Sequence, residues 1–182
     1  NGFRSGPNDL QYMQQYLKLN QENLSRLPEE IRTPGYNRRQ VKAGIIHIGV
    51  GAFHRSHQAF FTDQILHNSE NSNWGICGIA LLESDRSNYN ALKAQDGLYT
   101  LTVANPDGSS ETMVPGSLIE FMFAPENPNA VIEKIAHQDI KIITLTITEG
   151  GYNFNSEGEF LMNQPLVQWD LNHPGQPKTV FG

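Results

Sequence analysis

One cysteine in 182 residues, Cys77, is too few for an intrachain disulfide or a multi-cysteine zinc site, and it fits a reducing compartment. No apolar run approaches the ~20 residues of a membrane helix, and no basic-then-apolar leader opens the chain, so a cytoplasmic protein is expected. Basic clusters are also missing. With a net charge of −6, a phosphate-backbone partner such as a nucleic acid is not expected. There are no internal repeats and no low-complexity tracts, and the length suits one domain with one core.

What is present changes texture along the chain. Residues 1–40 are polar and broken by "SGPND" and "RTPGYN"; they read as an arm with a short helix near Asp9–Leu19 and no chemistry. From Gly44, "GIIHIG" is a β-branched run ending in glycine, and "SHQAFFTDQILHN" follows with helical spacing. "WGICGIALL" (74–82) is a nearly continuous apolar run, as in strands covered on both faces. Arg86–Gln95 reads as a short helix. "LYTLTVANPDGSSETMV" alternates like a hairpin about the turn "NPDG". "NPNAVIEKIAH" has an asparagine cap and a first-turn proline, predicting a helix over 128–137. "IKIITLTIT" (140–148) is the strongest strand pattern and ends in "EGGY". The closing "PKTVFG" reads as the opening of a helix. Alternating strands and helices predict an α/β fold: a Rossmann-like, mainly parallel sheet with helices on both faces, carrying an antiparallel hairpin insertion over residues 41–182 and truncated there.

"HIGVGAFHRSH" is where chemistry is expected. A dinucleotide pyrophosphate needs backbone N–H donors with no side chain in the way, which glycines between a strand and a helix supply. Gly49 and Gly51 hold the first two places of G-x-G-x-x-G, but His54 holds the third, so the following helix should stand farther off or start at another angle. Arg55 is placed to meet a phosphate. His54 and His57, three apart, share a helical face but lack the carboxylate or cysteine partners of a zinc site. Polar residues satisfied at a helix end are the plainer reading of all three. Asp85, 34 residues past Gly51, stands after the next strand, where an acid accepts ribose hydroxyls. It also suits a cap for "RSNYNALKAQ". An adenosylmethionine site would use a similar glycine turn and acid, so a nucleotide-binding module without chemistry and a methyltransferase-like domain stay open here.

Four separated motifs, "GIIHIGVGAFHRSHQAFFTDQIL", "WGICGIALLESDR", "LKAQDGLYTLT" and "KIITLTITEGGYNF", together resemble the mannitol dehydrogenase family of long-chain polyol dehydrogenases, from about Leu17 to Gly182. The family's loop has histidine and arginine where His54 and Arg55 stand. The resemblance implies NAD as cofactor, held on Ile48, Gly49, Val50, Gly51, Ala52, Phe53, His54 and Arg55, with Asp85 on the adenosine ribose. A second acid is expected at position 84, where this chain has Ser84 with Arg86 nearby, which relaxes the preference for NAD over NADP. Glu149 in "TITEGGY" matches a family glutamate that moves protons or water. That stretch is more similar to the mannitol/fructose type than to fructuronate or tagaturonate reductases, which keep the alternative place; in both, the substrate is a small polyol or ketose. The family's catalytic lysine, with asparagine five residues on and histidine three beyond, has no match: Lys18 and Asn23 are followed by Arg26. The expectation is therefore an N-terminal piece of such an enzyme, inactive alone.

Overall fold

The computed structural model describes residues 17–147 and 149–182, without the side chain of Glu149. The expected helix near Asp9–Leu19 lies outside the described residues, apart from 17–19, which are not helical. Contacts divide the chain after Thr144, with Leu145–Gly182 forming a second compact unit.

The first unit is built on β1 (Ala43–Ile48) and β2 (Gly75–Ala80), every residue of which is buried. They pair in parallel, Ile46 opposite Cys77 and Ile48 opposite Ile79. A third strand, β5 (Leu118–Phe123), pairs in parallel with the far side of β2, and β6 (Ile142–Leu145) lies beside β1, giving the order β5-β2-β1-β6. No local sequence pattern marks β5. Its Glu120 interrupts the apolar run "LIEFMF", and that residue stands opposite Cys77 with its carboxylate 2.6 Å from Lys134 Nζ. Lys134 belongs to α4 (Pro128–Ile135), which Asn127 caps through the Ala130 N–H. Side chains alternate across a strand. Cys77 and Glu120 therefore face α4, while Ile76 faces the opposite way, into a core with Ile45, Val50, Ala59, Leu92, Tyr99 and Leu118. Ala59 lies on α2 (Gln58–Leu66) and Leu92 on α3 (Arg86–Ala94), so helices cover both faces.

The hairpin forms as expected: β3 (Leu101–Ala104) and β4 (Ser110–Met113) pair antiparallel, with Asp107 accepting from the Ser109 N–H and hydroxyl. The described part of the arm does more than the sequence suggested. Arg38 is buried there: its guanidinium donates to the carbonyls of Gly116, Asp96 and Leu118 and to Gln21 Oε1, all within 2.8 Å, fastening the arm to the start of β5. Buried Asp63 of α2 adds a second fastening, accepting from the Tyr36 hydroxyl at 2.6 Å and the Gly116 N–H at 2.7 Å.

The strand expected over 140–148 is shorter, Ile142–Leu145, and its Ile142 and Ile143 remain about half exposed. In the second unit, Glu149–Tyr152 makes a single 3-10 turn and α5 spans Pro165–Asn172, a helix the sequence reading missed. The expected helix opening at "PKTVFG" is absent. Asp170 of α5 accepts from the N–H groups of Lys178 and Thr179 and from the Thr179 hydroxyl, and these bonds hold the segment irregular.

Candidate functional site

The order β5-β2-β1-β6 places the reversal of winding between β1 and β6, since the chain leaves β1 toward β2 on one side and returns to β6 on the other. Crevices for ligands open at the carboxyl ends of strands at such a point. The glycine turn sits there. Gly49 takes φ of 93°, a conformation that favours glycine. Val50 turns inward and is buried, and it fits only because β2 has Gly78 beneath it: a Cβ on Gly78 would stand 2.6 Å from Val50 Cγ2. Gly51 ends the turn with ordinary φ of −84°, and a Cβ built on it meets nothing within 4 Å. The protein itself makes no demand for glycine at 51, whereas a pyrophosphate crossing the turn would.

The helix after the turn begins at Ala52, two residues before the place expected, and it is broken. A short α1 (Ala52–Ser56) stops at His57, and α2 continues from Gln58. The first hydrogen bond of α1 runs from the Arg55 N–H to the Gly51 carbonyl, so the N–H groups of Ala52, Phe53 and His54 precede any intrahelical partner. Ala52 and Phe53 are exposed beside the turn, and Phe53 stacks on His57 with ring centroids 4.3 Å apart.

His54 does not share a face with His57. Its imidazole is buried and lies flat on that of His47, centroids 3.5 Å apart and planes within 12°. The ring fills the space between α1 and β1 that closer packing on a third glycine would remove. His47 contacts the Gly49 carbonyl through Nε2 at 3.3 Å and Thr144 Oγ1 of β6 through Nδ1 at 2.7 Å. The Thr144 hydroxyl donates to Gln58 Oε1, 2.9 Å away. The chain thus joins the glycine turn, β1, β6 and α2. Burial is the main cause pushing the His47 pKa down to about 4 and that of His54 to about 3, and each ring is neutral at physiological pH. Gln58 lies close enough to pull both values slightly upward, but no hydrogen bond of proper geometry reaches either ring nitrogen of His54. Among the described residues no group of histidines, cysteines and carboxylates is arranged to hold a metal ion.

Arg55 is fastened within the protein. Its Nη1 donates to Asn88 Oδ1 of α3 at 2.8 Å and to the Val50 carbonyl at 3.3 Å, and Asn88 donates to the same carbonyl at 2.9 Å. The Tyr99 hydroxyl holds the Arg55 carbonyl at 2.6 Å. Nε and Nη2 take no part in these bonds, leaving two edges of a fixed cation beside the turn. Asn88 and Tyr99 are loop-positioning residues that the sequence reading missed, because no local pattern marks contacts made 33 and 44 residues away.

Asp85 follows β2 in a 3-10 turn, Glu83–Asp85. It does not cap α3 through its side chain; Oδ2 instead accepts from the Leu82 N–H at 3.0 Å, which fixes the carboxylate and leaves Oδ1 open. Glu149 opens the 3-10 turn of the second unit. Two surface cavities of about 490 and 520 Å³ follow β5: one holds Arg38, Lys93 and Asp96, the other Met122, Lys134 and His137, and neither touches the glycine turn. Cys77 is fully buried, and burial pushes its thiol up to about 12.

Residues 43–182 match the model of the mannitol dehydrogenase Rossmann domain. The chain is 42% identical over 167 residues to a polyol:NADP oxidoreductase of Gluconobacter oxydans, covering 90% of this chain and 34% of that protein. It is 41% identical over 166 residues to a mannitol 2-dehydrogenase of Phaeosphaeria nodorum, covering 91% and 29%. Among solved structures, the Pseudomonas fluorescens mannitol 2-dehydrogenase, a ternary complex with NAD and D-mannitol, superimposes with a TM-score of 0.85 at 43% identity, over 91% of this chain and 34% of that one. The chain therefore spans about a third of the length of the relatives it matches.

Proposed function

The chain belongs to the mannitol dehydrogenase family, and from that premise we propose that it is the NAD-binding part of a polyol dehydrogenase that interconverts a sugar alcohol and a ketose, of the mannitol and fructose type. The observation that carries this reading is the open space over Gly51 at the reversal of winding between β1 and β6. Ile48 to Arg55 form the cradle: Gly49 and Gly51 put no side chain over the turn, the N–H groups of Ala52, Phe53 and His54, which lack intrahelical partners, face an anion, and Arg55 offers its unused edges. Bound there, NAD would accept the hydride of the alcohol. Asp85 holds the adenosine ribose through Oδ1 and repels a 2′-phosphate, which favours NAD although one relative is named for NADP. Glu149 takes the part of the family glutamate that moves a proton or water. A reducing, cytoplasmic setting fits the single buried thiol.

Asp85→Ala tests the assignment. NAD should bind ~1.5–3 kcal/mol more weakly, the scale of a hydrogen bond to a charged group, and NADP should lose less because repulsion is relieved. Equal affinities before and after, by titration with NADH and NADPH, would remove Asp85 from the site.

The isolated 182-residue chain should not reduce fructose. A placed base contributes ~10²–10⁴ in rate, and no lysine here has the asparagine and histidine that would act with it. NADH oxidation at ordinary dehydrogenase rates by purified chain would place the chemistry in residues read here as scaffold.

A further inference from the structure

We propose that Glu83 and Glu126 help to set the choice between NAD and NADP by withholding Arg86 from the nucleotide 2′-phosphate; this rests on the NAD reading above. Arg86 follows Asp85 directly and opens α3. Its guanidinium is held on two sides. Nε and Nη2 donate to the two carboxylate oxygens of Glu83, Nη2 at 3.0 Å, and Nη1 donates to Glu126 Oε1 at 2.8 Å. The cation lies 4.4 Å from the ring centroid of Phe123, the last residue of β5. It therefore stands at the carboxyl ends of β2 and β5, on the side where the adenosine of a dinucleotide held by Asp85 would lie. Ser84, between the two acids, is exposed with its hydroxyl free.

An arginine at this place is the usual partner of a 2′-phosphate, because its planar fork matches phosphate oxygens two at a time. Here both faces of the fork are spent on carboxylates. An incoming 2′-phosphate would have to displace Glu83 and Glu126 and lie among three negative groups, Asp85 included. The side chains are 41% (Arg86), 66% (Glu83) and 52% (Glu126) exposed, so each ion pair is individually weak. The two acids act by occupying the fork, and losing them leaves the fold standing while freeing Arg86 and, beside it, the Ser84 hydroxyl for a phosphate.

The experiment is a fluorescence titration of the full chain with NADH and NADPH. Glu83→Gln combined with Glu126→Gln should raise NADPH affinity about tenfold or more, the size of one charge-assisted hydrogen bond, with NADH affinity changed less than about threefold. Adding Arg86→Gln to that pair should abolish the gain. Removing the same charge elsewhere, by Glu29→Gln with Glu157→Gln, should give no gain. No gain in the first variant overturns the proposal, as does a gain that survives loss of Arg86 or appears in the remote control. If the unaltered chain fails to bind NADH, the NAD reading itself falls and takes this inference with it; the other failures leave that reading intact.

Discussion

Replacing Gly51 with valine should abolish NADH binding, by about a thousandfold or more (~4 kcal/mol), while leaving the fold in place. The two halves of this expectation have separate causes. On the protein side, Gly51 has φ of −84° and ψ of −177°, which valine adopts readily, and a Cβ there meets nothing within 4 Å. Position 51 is the N-cap of α1 without a side-chain hydrogen bond, so the exchange costs the fold no more than ~1 kcal/mol. On the ligand side, the branched side chain would occupy the volume through which the pyrophosphate reaches the N–H groups of Ala52 to His54, and the phosphates would lose both their donors and their closest approach. Gly78 is the opposite case: a Cβ there runs into Val50, Phe121 and Leu118, all within 2.9 Å, so that glycine serves the core. Thermal melting and NADH titration of Gly51→Val separate the effects. Binding retained within tenfold would move the pyrophosphate off this turn; a collapsed fold would show a steric demand at 51 that the structure does not contain.

The parts of this site that were legible in the sequence are those whose cause is local. "GIIHIGVG" announced a buried strand and a glycine turn because β-branched residues and glycines act on their own backbone, and the place of Asp85 in a turn after β2 follows from where the next apolar run ends. The unread parts depend on distant partners. β5 escaped because Glu120 breaks its apolar pattern, and only α4, with Lys134 at 2.6 Å, explains why an acid is tolerated there. Arg38 sat in the polar "NRRQ" and looked unremarkable; its carbonyl partners at Asp96, Gly116 and Leu118 lie 58 to 80 residues away. His54 read as a polar group at a helix end. Its burial is decided by His47 on β1, and the ring stack that replaces the third glycine is a contact between a strand and a helix that no periodicity encodes.

That stack gives the second large expectation: stability should fall steeply as pH drops from about 6.5 toward 4. Both imidazoles have folded-state pKa values depressed from 6.5, to about 4 for His47 and about 3 for His54, chiefly by burial. Above 6.5 neither the folded nor the unfolded state carries the protons, and stability is whole. Between 6.5 and about 4 the unfolded chain takes up protons that the folded state refuses, so the equilibrium moves toward unfolding throughout that window. Each unit of depression is worth ~1.4 kcal/mol, or roughly 3 kcal/mol for His47 alone by pH 4. The first proton to enter also places a charge against the other ring at 3.5 Å, so the two contributions are coupled and do not simply add. Even so, the loss is comparable to a sizeable part of the ~5–15 kcal/mol that holds a domain together. The carboxylates held low, Glu83 by Arg86, Asp107 by Ser109 and Asp170 by Thr179 and Lys178, lose their contribution only below the ordinary values of 4.5 for the glutamate and 3.8 for the aspartates, so the window above them belongs to the histidines. Urea titrations at several pH values between 8 and 4.5 measure the slope directly. His54→Phe keeps a flat ring on His47 and removes one titrating group, so its stability should vary less with pH across the same range. A wild-type urea midpoint that stays flat down to pH 4.5, or a His54→Phe slope as steep as that of the unaltered chain, would show that the stacked rings are not what acid attacks.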